Sequence, residues 1–230
     1  MAHLLDNPVW EALSSVDNHY NSGTDNLKYY PENMSPFVGL QNWDESDLHT
    51  LIAALPSNRS FSIMKVNQPR LSSEFQIIFS LPLFQLVCLD FKPYTNPSHT
   101  IQKLETRDIP QMLELTAKTK PGPFYEKTID FGNYLGIYSG DTLISMAGER
   151  LHLTGYTEVS AICTHPDHLG KNYASSLTSM VSQTIIENGE TPFLHVRQDN
   201  IRAIEMYKRL GFQIRAEVYF AVIKKSADQL

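Results

Sequence analysis

Residues 158–174 read EVSAICTHPDHLGKNYA, and residues 200–212 read NIRAIEMYKRLGF. In the first stretch Val159, Ala161 and Cys163 alternate with Ser160, Ile162 and Thr164, an apolar and β-branched run that predicts a strand. Pro166 ends it, because proline offers no ladder N–H and restricts His165 before it. Leu169-Gly170-Lys171-Asn172 then leads into a helix from Tyr173 to about Asn188. Ala174, Leu177, Met180, Val181 and Ile185 lie at helical spacing, and Gly189 is the C-terminal stop. A strand–loop–helix junction leaves the first helical N–H groups without intrahelical acceptors. With the positive end of the helix dipole, those donors suit an anion such as a pyrophosphate. Taken alone, the junction reads equally as an ordinary turn.

Between the two stretches, Thr191–Val196 (TPFLHV) is a short strand. Asn200 is placed to cap a helix beginning at Ile201, and Glu205 lies too far along to complete a capping box. Ala203, Ile204, Tyr207 and Leu210 share one helical face, while Lys208 and Arg209 suit the negative end of the dipole. Gly211 ends the helix, and Phe212, Ile214, Val218, Phe220, Val222 and Ile223 supply a last strand. The bland reading is an amphipathic helix whose Tyr207 is a core residue with a wet tip.

Jointly, the loop and the pattern N-x-x-A-x-x-x-Y-x-x-x-G-F (Asn200, Ala203, Tyr207, Gly211-Phe212) resemble the acyl-CoA site of the GNAT (Gcn5-related N-acetyltransferase) superfamily, and within it the FR47-like branch. The resemblance covers roughly residues 100–225. The family loop, [Q/R]-x-x-G-x-[G/A], falls on Asp167–Asn172. Gly170 matches strictly, whereas Asp167 and Asn172 depart from the pattern, although Asn tolerates a left-handed backbone. The resemblance implies acetyl-CoA as cosubstrate. Backbone groups of Ile162, Cys163 and Thr164 would bind the pantetheine arm and supply an oxyanion donor. His168, Leu169, Gly170, Lys171, Asn172, Tyr173 and Ala174 would hold the pyrophosphate end. Ala203 would leave room for the arm, Asn200 would hydrogen-bond near it, and Tyr207 would point its hydroxyl at the thioester sulfur. A bulge would splay the central strand from Phe193–Val196 and open the cleft. Glu158, where FR47-like relatives often carry an acid, is the candidate base. Glu149 and the 120–124 loop KPGPF, with Phe124, are candidate substrate contacts, each also readable as structural.

Acetyl transfer to an amine needs the reactants held in line, a route for the amine proton, a proton for the departing thiolate and a donor for the carbonyl oxygen. Tyr207 suits the acid role, since a phenol near ~10 stays protonated at neutral pH. Glu158, near ~4 unperturbed, would act through an ordered water or on an amine already neutral. Two other functions stay open: a non-catalytic acyl-CoA-binding regulatory module, and an acyltransferase using a longer acyl chain or a hydroxyl acceptor. A nucleotide-triphosphate loop is excluded, because His165 stands where its first glycine is needed and no Ser or Thr follows Lys171. Cys163, His165 and His168 are close in sequence, yet no fourth ligand is evident and no metal is expected.

The 230 residues carry 42% apolar and 19% charged side chains, an ordinary globular balance. The net charge of −6 and the absence of a Lys/Arg cluster argue against a nucleic-acid partner, and an acidic surface would draw a cationic amine. The acceptor is expected to be a small-molecule or peptide amine, and a homodimer stays open. Cys88 and Cys163 sit in apolar runs and read as reduced, buried thiols. MAHLLDNPVW lacks the marks of a signal peptide, and Phe75–Phe91 is interrupted by Gln76, Pro82 and Gln85, so no membrane span is expected. These features point to the cytoplasm.

Along the chain, residues 5–20 read as a helix, and Phe37–Leu55 contains a second beginning near Asp44. Phe61–Val66, Phe75–Ser80 and Leu83–Asp90 read as strands. Lys92–Thr100 (KPYTNPSHT) is the expected boundary between a smaller α+β N-terminal region, residues 1–96, and a GNAT acetyltransferase domain, residues 97–230. The N-terminal region is open to being a reduced copy of the same layout. After the boundary come a strand at Ile101–Leu104, a helix at Asp108–Lys118, and a hairpin of Tyr134–Ser139 and Thr142–Arg150 about Gly140-Asp141. The resulting β-α-loop-β-β-β-α-β-α-β order matches the GNAT order. It predicts an α/β (α+β) fold with a mixed central sheet and helices on both faces.

Overall fold

Neighbouring residues in the inner strands bury toward opposite sides, as a period of two requires. Met146, Val87 and Phe193 enter apolar clusters with the N-terminal segment and the first helices, whereas Ala147, Leu86 and Leu194 join the cluster of the last two helices. This alternation makes a sheet covered on both faces. A computed structural model describes residues 3–54, 59–96 and 98–226. Its elements run α1 (Pro8–Ser14), β1 (Leu27–Tyr29), β2 (Val38–Leu40), α2 (Glu45–Ala54), β3 (Ser60–Lys65), β4 (Phe75–Cys88), β5 (Gln102–Lys103), α3 (Ile109–Thr119), β6 (Tyr134–Ser139), β7 (Thr142–Leu153), β8 (Tyr156–Thr164), α4 (Tyr173–Glu187), β9 (Thr191–Arg197), α5 (Ile201–Arg209) and β10 (Phe212–Lys225). β1 and β2 form a two-stranded ribbon, and the other strands form one eight-stranded sheet in the order β3-β10-β4-β9-β8-β7-β6-β5. Only β8 and β9 run parallel among these pairs, so the sheet is mixed as expected.

Three expectations need correction. The helix over 5–20 is broken: α1 is flanked by 3-10 turns at Leu4–Asp6 and Val16–Tyr20. The Ser15 hydroxyl donates to the Glu11 carbonyl at 2.6 Å, offering the backbone an exit from the helix. The strands expected at 75–80 and 83–90 are one continuous β4. Pro82 sits just outside the β9 ladder, which begins at Leu83↔Arg197, so its missing N–H leaves no partner wanting there. Finally, residues 1–96 do not stand apart. β4 is inserted between β10 and β9, and one apolar cluster joins Leu5, Val9 and Leu13 to Leu151, Phe193 and Val218. The 96/97 boundary divides the sequence but not the core, and the N-terminal strands do not build a second copy of the sheet. Leu55 and Pro97, which fell in the expected second helix segment and boundary, lie outside the described residues.

Candidate functional site

β8 and β9 pair at Tyr156↔Thr191, Thr157↔Pro192 and Glu158↔Phe193, and pairing stops there. On the other side of β8, Cys163 faces Met146 while Ser160 faces Gly148, so β8 carries an extra residue between them. Ala161 takes it up at φ +52°, a left-handed conformation that a non-glycine residue adopts only under local constraint. Past this bulge β8 and β9 part. The β8 backbone groups that face β9 from Val159 onward therefore have no ladder partner on that strand.

The cleft so opened is bounded by the N-terminal ends of α4 and α5. Pro166–His168 forms a 3-10 turn, then Gly170 at φ +83° and Asn172 at φ +60° turn the chain into α4. A Cβ on Gly170 would meet nothing within 4 Å, so glycine supplies conformation here, not space. Among the described residues, the N–H groups of Gly170 through Ser175 have no protein acceptor; the first bond into the loop is Ser176 N–H to the Asn172 carbonyl at 3.1 Å. A run of unsatisfied donors at the N-terminus of a helix is an anion site. At α5, the Asn200 side-chain oxygen accepts from the Ala203 N–H at 3.2 Å, which is the expected cap. A cavity of about 230 Å³ runs along these elements, and every cofactor-binding residue expected from the sequence lines it: Ile162, Cys163, Thr164, His168, Leu169, Gly170, Lys171, Asn172, Tyr173, Ala174, Asn200, Ala203 and Tyr207.

A second cavity, of about 960 Å³, opens on the far side of the bulge. Ile162, Cys163, Thr164, Asn200 and Tyr207 line both. Tyr207 is therefore at the junction. Its ring packs edge-on to Phe212 with centroids 6.1 Å apart, and burial pushes its phenol well above the ordinary range. It stays protonated and can only donate or accept a hydrogen bond at neutral pH. Burial likewise raises the Cys163 thiol to about 11, so it is not a thiolate at neutral pH.

Glu158 is placed differently from the expectation for a cleft base. It is fully buried and does not line either cavity. Arg150 donates to both of its oxygens, from Nε at 2.7 Å and Nη2 at 2.6 Å, and His195 Nδ1 donates to Oε1 at 2.7 Å. Burial alone would raise this carboxyl, but Arg150 and His195 outweigh it and hold it at about 2. A carboxylate so engaged is a poor proton acceptor at neutral pH. Behind it, Arg215 donates to the Gln85 side-chain oxygen, and the Gln85 amide nitrogen donates to the Leu5 carbonyl and to His195 Nε2, each at 2.9 Å. That chain fixes the imidazole with its proton on Nδ1. Arg150 and His195 do line the large cavity; the sequence reading overlooked both, along with Gln85. Their signal is weak in sequence, because each comes from a different strand and only the register brings them together.

Of the expected substrate contacts, Glu149 and Phe124 do not line the large cavity. Glu149 turns inward, accepting from Asn133 N–H at 3.0 Å and Asn133 Nδ2 at 3.1 Å, with His152 beside it, and its carboxylate leaves no room for a Cβ at Gly132. Phe124 packs edge-on to buried Tyr134 at 5.7 Å. The preceding residues of its loop, Lys120, Pro121, Gly122 and Pro123, do line the large cavity. No cluster of His, Cys, Asp and Glu that could hold a metal is present among the described residues, and no described helix is long and apolar enough to cross a membrane.

Comparison with known proteins agrees with this geometry. The family described as FR47-like protein matches residues 134–221, from β6 into β10. A crystal structure from Novosphingobium aromaticivorans, assigned to the GNAT family of acetyltransferases, superposes with a TM-score of 0.90 at 28% identity, covering 98% of this chain and 100% of that one. A GCN5-related N-acetyltransferase from Kribbella flavida shares the fold, with a TM-score of 0.65 at 14% identity over 97% of this chain and 98% of its own. A mycothiol acetyltransferase of Corynebacterium jeikeium is 38% identical over 69 residues, which is 30% of this chain. The match spans only 19% of that relative's length.

Proposed function

The chain belongs to the GNAT superfamily, in its FR47-like branch, and from that premise we propose that it is an acetyl-CoA-dependent N-acyltransferase. Its acceptor would be an amine of a small molecule or peptide, attacking directly in a ternary complex. The observation that carries this reading is the meeting of two cavities at Tyr207 and the Ala161 bulge. One cavity has the character of a cosubstrate site, and the other leaves space for a second reactant.

The residues present fit acetyl-CoA. The free N–H groups of Gly170 through Ser175 suit a pyrophosphate, and the unpaired edge of β8 suits an extended amide-bearing arm. When bound, acetyl-CoA would supply the acyl group as an activated thioester. The amine nitrogen would bond to the acyl carbon, the carbon–sulfur bond would break, and the sulfur would leave with a proton from Tyr207. A backbone N–H near the bulge would steady the developing oxyanion. The amine would enter neutral, and on bonding to the acyl carbon its nitrogen would give up one N–H proton through water, which replaces the proton Tyr207 has passed to the sulfur, since Glu158 is engaged by Arg150 and His195. Two buried free cysteines suit a reducing compartment, and we place the protein in the cytoplasm on that ground. The test is release of free thiol from acetyl-CoA against a panel of amino acids, peptides and polyamines. Thiol release that depends on an amine, with an amide as product, is the expected result. Binding of CoA with no acceptor-dependent release would instead favour a regulatory module.

A further inference from the structure

The large cavity carries a chemistry of its own. Arg150 uses Nε and Nη2 on Glu158, while its remaining nitrogen, Nη1, has no protein acceptor among the described residues. Nη1 is the nearest heavy atom to the position a Cβ would take on Gly122, 4.0 Å away, so it faces the Lys120–Pro123 loop across the cavity. The guanidinium is held rigid by its forked pair below and by the Phe37 ring, 4.8 Å from its carbon. The carboxylate that lines this cavity, Asp199, is already bound by Nε and Nη2 of Arg197. Lys120 adds a further cation at the rim. The N-terminal half contributes an apolar stretch of wall, Phe37, Met64, Phe79 and Leu81, next to the hydroxyls of Ser60 and Ser62.

Resting on the acyltransferase reading above, we propose that the acceptor is an amine that also bears a carboxylate and an apolar side chain, of the amino-acid or short-peptide class, with Arg150 Nη1 binding the carboxylate. A preorganised guanidinium with spare N–H groups is a carboxylate receptor. A polyamine would find no free carboxylate among the described lining residues, despite the chain's net charge of −6. The apolar wall gives the side chain a place out of water.

The test compares L-phenylalanine and L-leucine with 2-phenylethylamine and 3-methylbutylamine, which lack only the carboxylate, and with spermidine, all with acetyl-CoA. The acids should have kcat/KM roughly 10–100-fold above their decarboxylated partners, the range expected for a charged hydrogen bond lost from a buried site. The double variant Arg150→Met/Glu158→Gln removes the pair together, so that no buried charge is stranded. With its fold and CoA affinity verified, it should bring that ratio close to one, chiefly through a higher KM for the acids. Equal use of acids and decarboxylated amines by the wild type, or a preference for spermidine, would overturn the acceptor class and leave the transferase reading standing. No thiol release with any acceptor would overturn both.

Discussion

Tyr207 and Glu158 were the two side chains expected to move protons, and the structure separates them. Tyr207 lines both cavities and keeps its proton; Glu158 is buried beneath Arg150 and His195. Tyr207→Phe keeps the ring that packs on Phe212 and removes one donor, so the loss should fall on the transition state. We expect kcat to drop roughly 10–100-fold, at the low end for a lost general acid, with CoA affinity little changed by calorimetry. Full activity on the acceptor would mean that the proton comes from another group. Glu158→Gln should act on stability. It strands Arg150 without its counter-charge in a buried site, a defect that typically costs about 3–5 kcal/mol. The sign with pH follows from the lowered carboxyl: its stabilisation is full above the ordinary glutamate range near 4.5 and is lost as pH falls through about 2. Urea denaturation should show the variant weaker at neutral pH and the gap narrowing in acid. A variant as stable as the wild type, with a shifted pH–rate profile, would return Glu158 to the role of base.

At the scale of elements, the anion loop and the helix after it were legible because their signals are local. Alternation, Pro166, Gly170 and a helical period all lie within thirty consecutive residues (158–187), and the cap at Asn200 is a side chain bonding three residues on. Gly170→Asp tests that element. The site has room for a Cβ but holds φ at +83°, and the new carboxylate would face the same donors that a pyrophosphate needs. Loss of CoA binding in a folded variant is expected; unchanged affinity by calorimetry would remove the loop from the site. What was not legible is what depends on register. Arg150, Glu158 and His195 stand on β7, β8 and β9, and no spacing along the chain shows that they meet. The expectation for Glu149 missed by one position: Arg150 lines the large cavity while Glu149 turns to Asn133, because a single step along a strand sends a side chain to the other face.

For the whole molecule, the expected division at residue 96 meets its strongest challenge in β4. A strand between two others has both edges paired, and β4 spans β10 from Phe212↔Cys88 to Lys225↔Phe75 while pairing β9 from Leu83 to Val87. The turn-rich 92–100 segment suggested a linker because sequence records where a chain is irregular, not which strands it later joins. A fragment of residues 97–230 would therefore expose the inner edges of β9 and β10, a template for aggregation. It would also uncover the apolar faces that Leu83, Leu86 and Val87 bury. Arg215 would lose Gln85 and Asp6, and His195 would lose the donor that fixes its ring. The large cavity would lose Phe37, Met64, Phe79 and Leu81 from its wall. We expect this fragment to be insoluble, or to bind a hydrophobic dye and melt without a cooperative transition. Supplying the full 1–96 segment in trans should recover part of the soluble, CoA-binding protein, because the missing strand has one slot to enter. A 97–230 fragment that melts cooperatively and transfers acetyl groups at the rate of the full chain would establish it as an independent domain and reduce β4 to a replaceable edge.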